Sequence, residues 1–300
     1  MIIGVIGVTG NILAIIIFSR PSLRRFSYSF YCLVMAISDI GFLSHTFIDW
    51  SASYLNADLA TVGQLFCSLS TFLPYYFGGV STFLLTIISI DRMLTIVYPN
   101  RFIVLKKRWV QAVIVIIVAL ISLLVGILTP FSFQLKVFNQ TNSSIQIRIC
   151  TASSNIIMIE TFIILAMFVF LNIITNNVVS FKTIRFIMAS RQRVGLIGTS
   201  FARNRSSSLS KRDQKFSICS VCLDIVSIIS KLPFVVTILT FYFLKINSDE
   251  MNSIYKITNA LAYVENGFSF FINMYVNSLF YEEFLILFGF KKSRSESNNT

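Results

Sequence analysis

The chain has 300 residues, of which 55% are hydrophobic and 13% are charged, and its formal net charge is +12. A soluble domain of this length cannot bury so much apolar surface, so the composition excludes an ordinary globular protein and indicates an integral membrane protein. The positive charge follows the membrane topology described below and does not indicate nucleic-acid binding.

Seven apolar segments are long enough to cross a bilayer, which takes about 20 residues of helix. They cover residues 2–19, 28–49, 65–97, 110–131, 155–181, 217–244 and 254–281. The segments do not alternate in polarity as the strands of a membrane barrel do. We therefore predict an all-α membrane protein whose seven transmembrane helices form one bundle over residues 1–290, followed by a short tail at residues 291–300.

The basic residues indicate which side of the membrane each connection faces. Most of the 25 Lys and Arg residues lie in the first, third and fifth connections and in the tail. Basic residues accumulate on the cytoplasmic side of membrane proteins, so we predict an extracellular N-terminus and a cytoplasmic C-terminus. The first segment begins at the start of the sequence and can insert without a cleavable signal peptide.

Charged residues in the early segments are candidates for function. A charge at the centre of a bilayer costs about 2.5–3.5 kcal/mol on insertion scales. Asp39 lies near the middle of the second segment and is therefore a candidate site residue. The adjacent Asp91 and Arg92 lie near the end of the long third segment. We place this pair at the cytoplasmic boundary of the membrane, where charged groups have the lowest free-energy cost.

Two cysteines are predicted to lie outside the membrane. Cys67 is near the outer end of the third segment, and Cys150 lies in the external connection between the fourth and fifth segments. Because both are in an oxidising compartment, a disulfide is expected. Cys32, Cys219 and Cys222 lie within or near the membrane and are interpreted as small core residues.

The same external connection contains two short stretches of alternating polarity, residues 133–138 and 145–150. An Asn- and Ser-rich turn separates them, and this pattern predicts a β-hairpin. The turn also contains N-glycosylation sequons at Asn139 and Asn142, on the side of the membrane where glycans are added.

The sixth segment carries a second set of unusual residues. Lys231 is expected at about the depth of Asp39, and Asp224 lies two helical turns from Lys231 on the same face. A lysine and two carboxylates in one bundle interior are expected to pair with one another. Pro233 predicts a kink, because proline frees a backbone carbonyl within the helix.

The last cytoplasmic elements are a loop and a short helix. The connection at residues 189–214 is basic and rich in serine, which predicts a mobile loop with helical extensions at both ends. After the seventh segment, Glu282 and Glu283 precede an apolar stretch. This pattern predicts a short amphipathic eighth helix at residues 282–290, lying against the lipids of the inner leaflet.

The joint spacing of these residues resembles that of the rhodopsin-like, or class A, G-protein-coupled receptors over nearly the whole chain. Asp91-Arg92-Met93 is similar to the family's Asp-Arg-Tyr motif, and Asn277-Ser-Leu-Phe-Tyr281 is similar to its Asn-Pro-x-x-Tyr motif. Further matches are Gly10-Asn11, Ser38-Asp39, Cys67 at 25 residues before Arg92, Pro99 at seven residues after it, and Phe288 in the eighth helix. The resemblance implies a Cys67–Cys150 disulfide.

The chain also departs from the family pattern, which indicates a divergent member of the invertebrate orphan or peptide-receptor type. Met93 and Ser278 replace the tyrosine and the proline of the two motifs, and Lys231 stands at the usual aromatic switch position. Pro74 aligns with the amine-binding aspartate and Phe271 with the retinal-bearing lysine. The last two differences argue against an amine ligand and against an opsin.

The resemblance implies a plasma-membrane receptor in which an extracellular ligand activates a heterotrimeric G protein at the cytoplasmic face. The hairpin and the missing amine-binding carboxylate favour a peptide ligand, and a small chemosensory molecule is the alternative. A transporter or channel is a second alternative, in which Asp39, Glu160, Asp224 and Lys231 would line an ion path. No phosphate-binding loop, metal cluster or nucleophile–base pair is present in the sequence, so we do not expect an enzyme.

The resemblance also implies roles for single residues. The coupling switch would consist of Asp91, Arg92, Asp213, Asn277 and Tyr281, with Asp213 released from Arg92 on activation. A sodium-type polar core would consist of Asp39, Ser81, Asn273 and Asn277.

The position of Lys231 is left open between three alternatives. It replaces the sodium ion of the core, it pairs with Asp224, or it points toward the ligand pocket. We expect no other metal and no cofactor.

Overall fold

The computed structural model describes residues 2–54, 61–98, 101–127, 129–139, 146–152, 172–196, 211–244 and 249–291. The helices of the first half are α1 (Ile2–Phe18), α2 (Pro21–Arg24), α3 (Ser27–Tyr54), α4 (Gln64–Val97), α5 (Arg108–Gly126) and α6 (Thr129–Ser132). Two strands follow, β1 (Phe133–Asn139) and β2 (Gln146–Ala152). The helices of the second half are α7 (Thr175–Leu196), α8 (Lys211–Leu244), α9 (Asp249–Ala262), α10 (Val264–Val276) and α11 (Ser278–Leu287).

The described helices occupy the seven predicted membrane segments. Those long and apolar enough to cross a membrane by themselves are Ser27–Ile48, Gln64–Val97, Arg108–Phe131 and Asp213–Thr240. Helix α1 is apolar but has 17 residues. The seventh segment is divided at Tyr263 into α9 and α10, of 14 and 13 residues, so neither half is long enough alone. The fifth segment is described only from residue 172, where a π-helical turn leads into α7.

The predicted helical extensions at both ends of the connection between the fifth and sixth segments are present. Helix α7 continues to Leu196, beyond the predicted end of the fifth segment, and α8 begins at Lys211, before the predicted start of the sixth. Residues 197–210 between them lie outside the described part of the chain.

The end of the seventh segment differs from the prediction. We expected a helix to Tyr281 and an eighth helix at residues 282–290, whereas the break lies at Asn277. The Asn277 side-chain oxygen accepts a hydrogen bond from the backbone N–H of Phe280 at 3.3 Å, so Asn277 caps a new helix. This helix, α11, ends at Leu287, and Gly289 follows with a φ of 76°, a left-handed conformation that glycine adopts easily.

Small residues bring α1 and α10 close together. A Cβ added to Gly7 would lie 2.8 Å from the Cα of Gly267 and 2.6 Å from a methyl group of Leu43. Beside this contact, Asn11 donates from Nδ2 to the backbone oxygen of Asn266 at 2.8 Å. Close approach through glycine and an interhelical amide are typical of membrane helix packing. They fix which face of α10 points into the bundle.

The bundle has two chemically different ends, which we call the basic end, with Arg92 and Lys215, and the disulfide end, with Cys67 and Cys150. At the disulfide end, β1 and β2 pair antiparallel with Leu135 opposite Cys150. The Cys67–Cys150 disulfide joins this hairpin to α4, with 5.6 Å between the two Cα atoms. The predicted hairpin and the predicted disulfide are both confirmed.

Gln64 provides a second attachment of the hairpin to α4. Its Nε2 donates to the backbone oxygen of Phe133 at 3.0 Å, and its Oε1 accepts from the backbone N–H of Leu135 at 2.8 Å. The side-chain amide thus offers one donor and one acceptor, as a neighbouring strand would. Of the two predicted glycosylation sites, Asn139 ends β1 and Asn142 lies outside the described residues.

Candidate functional site

The first candidate site surrounds Arg92 at the basic end, where its guanidinium is almost completely buried. Arg92 donates from Nε to Asp91 Oδ2 at 3.0 Å, and its Nη2 contacts the same oxygen. Nη2 also donates to Ser27 Oγ at 2.7 Å, and Ser27 in turn donates to Asp91 Oδ2 at 2.9 Å. A buried ion pair is tolerated when its remaining donors are bonded in this way. It ties α4 to the start of α3.

The third helix at this site is α8, which contributes Asp213. Its Oδ1 lies 3.8 Å from Arg92 Nη1, beyond the usual hydrogen-bond distance, and its side chain is 30% exposed. Asp213 therefore lies beside Arg92, as the resemblance implies, but the contact is longer than the one with Asp91 and Asp213 is more exposed to water. We call Ser27, Tyr28, Asp91, Arg92 and Asp213 the arginine cluster.

Tyr28 was not identified from the sequence and is the structural centre of the arginine cluster. Its ring stacks on Phe216 with 4.9 Å between centroids, and the Arg92 guanidinium carbon lies 5.7 Å from the Tyr28 centroid. This distance is within the range of a cation–π interaction. The Tyr28 hydroxyl donates to Asn273 Oδ1 at 2.9 Å, so one side chain links Arg92 to α10.

The second candidate site is centred on Asp39 in the middle of the bundle. Ser81 donates from Oγ to Asp39 Oδ1 at 2.6 Å, and Asn266 donates from Nδ2 to the same oxygen at 2.6 Å. These two neutral donors come from α4 and α10. They stabilise a carboxylate that is only 1% exposed.

Lys231 lies beside this group and forms an ion pair with Glu265. Its Nζ is 2.6 Å from Glu265 Oε2 and donates to Thr82 Oγ1 at 3.0 Å. Adjacent residues of a helix point about 100° apart, so they reach different neighbours. Thr82 follows Ser81 on α4, and Glu265 precedes Asn266 on α10. The contacts of Asp39 and the contacts of Lys231 are therefore joined through adjacent residues of α4 and α10 into one ring.

We call this arrangement the polar ring. Its members are Asp39 on α3, Ser81 and Thr82 on α4, Lys231 on α8, and Glu265 and Asn266 on α10. It connects four helices near the level at which α8 carries Pro233. Helix α8 runs through Pro233 without interruption, so the predicted kink stays a prediction.

The partner of Lys231 corrects the sequence interpretation, which considered Asp224 and did not single out Glu265. Asp224 is instead held by hydroxyl groups. The Ser89 hydroxyl lies 2.8 Å from both carboxylate oxygens, and Ser180 donates to Oδ2 at 2.5 Å. These contacts join α8 to α4 and α7. A carboxylate within an apolar segment was the available signal for Glu265.

The predicted sodium-type core is divided by the structure. Asn273 Oδ1 accepts from Tyr28, and Asn277 Oδ1 caps α11, so neither oxygen is directed at Asp39. The hydrogen-bond partners of Asp39 Oδ1 are an N–H of Asn266 and the O–H of Ser81. A hard cation needs several oxygen ligands with free lone pairs. The residues around Asp39 therefore do not fit a sodium ion.

The remaining predicted residues lie apart from both sites. Asn277 is buried between α10 and α11, whereas Tyr281 on α11 is 46% exposed. Within the described ranges, no group of three or more His, Cys, Asp or Glu side chains is arranged to hold a metal ion.

Comparison with known proteins identifies the family. The family model described as "7 transmembrane receptor (rhodopsin family)" matches residues 10–269. The chain belongs to this family. Together with the apolar helices, this membership confirms the predicted seven-helix membrane bundle.

Three curated relatives match parts of this rhodopsin-family chain. Human cysteinyl leukotriene receptor 2 is 30% identical over 119 residues, covering 39% of this chain and 34% of the relative. The Gq-coupled rhodopsin of Mizuhopecten yessoensis is 30% identical over 136 residues, covering 43% and 26%. The alpha-1A adrenergic receptor of Oryzias latipes is 29% identical over 132 residues, covering 42% and 28%. The matched regions thus span about a third or less of each relative's length.

Proposed function

We propose that this rhodopsin-family chain is a plasma-membrane receptor that couples an extracellular ligand to a heterotrimeric G protein. The basic end would face the cytoplasm and the disulfide end the exterior, in agreement with the distribution of basic residues. The single observation that supports this best is the buried arginine cluster at the basic end. It joins α3, α4 and α8 through one guanidinium, so displacement of any of these helices changes what Arg92 contacts.

The contact most easily broken is the one with α8. Asp213 lies 3.8 Å from Arg92, whereas Ser27 and Asp91 lie within hydrogen-bond distance. An outward movement of α8 would separate Asp213 and Phe216 from Arg92 and leave the α3–α4 contacts intact. The ligand can drive this movement only by binding the moved state more tightly than the resting state.

The test is the signalling of an Asp213→Ala variant without ligand. We expect basal signalling above that of the unchanged receptor at matched surface expression, because the variant loses the Arg92–Asp213 attraction that holds α8 inward. Glu282→Ala is the matched control, since Glu282 is an exposed carboxylate at the same end that pairs with Lys291 at 3.4 Å. Equal basal signalling of Asp213→Ala and the control would contradict the proposed switch.

For the ligand, a peptide is our first candidate. The support is the β-hairpin at the disulfide end, which Cys150 and Gln64 hold against α4. A small molecule is the second candidate, favoured by relatives that are named as leukotriene and adrenergic receptors. Screening the receptor against peptide and small-molecule libraries with promiscuous G proteins distinguishes the two by which library contains the activator.

A further inference from the structure

The polar ring contains two buried carboxyl groups and one ammonium group. Asp39 and Glu265 are 1% and 4% exposed, and the ammonium of Lys231 lies between Glu265 and Thr82 of α4. Buried carboxylates that face each other are costly unless a cation or good donors compensate them. Asp39 has the neutral donors Ser81 and Asn266, whereas Glu265 forms its ion pair with Lys231.

The ammonium of Lys231 lies between oxygen atoms of two helices, α4 and α10. Its Nζ lies 2.6 Å from a carboxylate oxygen of Glu265 and 3.0 Å from the hydroxyl oxygen of Thr82. The next residue along each helix carries Ser81 or Asn266, and both reach Asp39. Carboxylate and hydroxyl oxygens are also the ligands that a hard metal cation prefers.

We infer that Lys231 is a built-in cation of the polar ring, which takes the place of a monovalent metal ion between Glu265 and Thr82. The protein is therefore as stable without sodium as with it. Shortening Lys231 to an uncharged side chain removes this cation and leaves Glu265 uncompensated. A sodium ion then binds the freed oxygens of Glu265 and Thr82, so the variant acquires a sodium dependence that the natural chain lacks.

The test measures the midpoint of thermal unfolding of the purified full chain in lipid nanodiscs, in sodium chloride and in choline chloride at equal ionic strength. The unchanged chain is expected to have the same midpoint in both salts. Lys231→Met is expected to have a higher midpoint in sodium, by several degrees and with saturation. The double variant Lys231→Met/Glu265→Gln is expected to lose this increase, because the carboxylate that binds the ion is neutralised.

Two further variants control the interpretation. Lys215→Met removes another lysine of α8, one that donates to Ser278 at the basic end, and should show no sodium effect. Lys231→Arg retains a cation and should also be insensitive to sodium. Neither control alters the oxygen atoms of the ring.

Three results would overturn the inference. They are a higher unfolding midpoint in sodium than in choline for the unchanged chain, the same increase for Lys231→Arg, and equal midpoints in the two salts for Lys231→Met. If Lys231→Met folds only in sodium, the inference is supported. If it folds in neither salt, the double variant Lys231→Met/Glu265→Gln decides, because it leaves no uncompensated carboxylate: the inference expects it to fold, and its failure to fold as well would overturn the inference. Because the measured quantity is stability, none of these outcomes depends on the proposed signalling function.

Discussion

The polar ring and the arginine cluster both attach α8 to the bundle, but the two attachments differ in length and in the exposure of the carboxylate. In the ring, Lys231 Nζ lies 2.6 Å from Glu265, and the two side chains are 20% and 5% exposed. In the cluster, Arg92 Nη1 lies 3.8 Å from Asp213, and the two side chains are 3% and 30% exposed. An ion pair within hydrogen-bond distance whose carboxylate is buried costs more to separate than a longer pair whose carboxylate is exposed to water. Helix α8 is therefore held firmly in the middle of the bundle and loosely at the basic end.

Because of this difference, we expect α8 to act as a lever: it tilts about the polar ring, and its basic end moves. Asp213 is 18 residues before Lys231, which corresponds to about 27 Å along an α-helix. A tilt of about 10° around the ring would move Asp213 by about 5 Å, given that length. Asp224 lies between the two, and its bonds to Ser89 and Ser180 are the intermediate attachment.

The largest expected effect comes from breaking the firm attachment. Glu265→Gln leaves the partly buried Lys231 ammonium without its carboxylate, and we expect a loss of about 3 kcal/mol in the free energy of unfolding. Chemical unfolding of the purified protein measures this loss. As a control, Glu282→Gln removes an exposed partner of Lys291 and should cost less than about 1 kcal/mol. Equal losses in the two variants would show that the ring does not hold α8 firmly.

A smaller effect is expected from the intermediate attachment. Asp224→Ala leaves the hydroxyl groups of Ser89 and Ser180 without their acceptor, which costs about 1–3 kcal/mol. Because α8 is then less constrained below the ring, basal signalling should also rise. Asp224→Asn keeps an acceptor and should show a weaker form of both changes. If the alanine variant is as stable as the unchanged chain, these bonds do not constrain α8.

The smallest expected effect concerns the link between the arginine cluster and α10. Tyr28→Phe removes the hydrogen bond to Asn273 and keeps the ring beside Arg92, so we expect a loss of about 1 kcal/mol in stability. A double-mutant cycle with Asn273→Ala measures how much of this loss belongs to the bond. Additive losses in the cycle would mean that Tyr28 and Asn273 are not coupled.

The parts of the molecule that local patterns determine were predictable from the sequence. Alternating polarity around a polar turn identified the hairpin, and compartment and position identified the pairing of Cys67 with Cys150. The family resemblance implied that Asp213 lies beside Arg92, and the two side chains are 3.8 Å apart. The hairpin required only a local pattern, whereas the role of Asp213 required the family resemblance as well.

The partners across helices were not predictable in the same way. Glu265 and Asn266 face Lys231 and Asp39 because of how α10 is rotated, and its rotation follows from the close contact of Gly7 with Gly267. No local pattern reports the rotation of one helix relative to another. The helix break at Asn277 was also missed, because a capping side chain was interpreted as part of a family motif.

The most direct test of the lever is a pair of distance measurements with spin labels, with the free cysteines replaced. One pair, at Lys215 and Trp109, reports the basic end, and the other, at Leu232 and Ile117, reports the level of the ring. All four side chains are exposed in the bundle. In Asp213→Ala we expect a new population at longer distance for the first pair and an unchanged distance for the second. Equal movement of both pairs, or movement of neither, would contradict a helix that pivots about the polar ring.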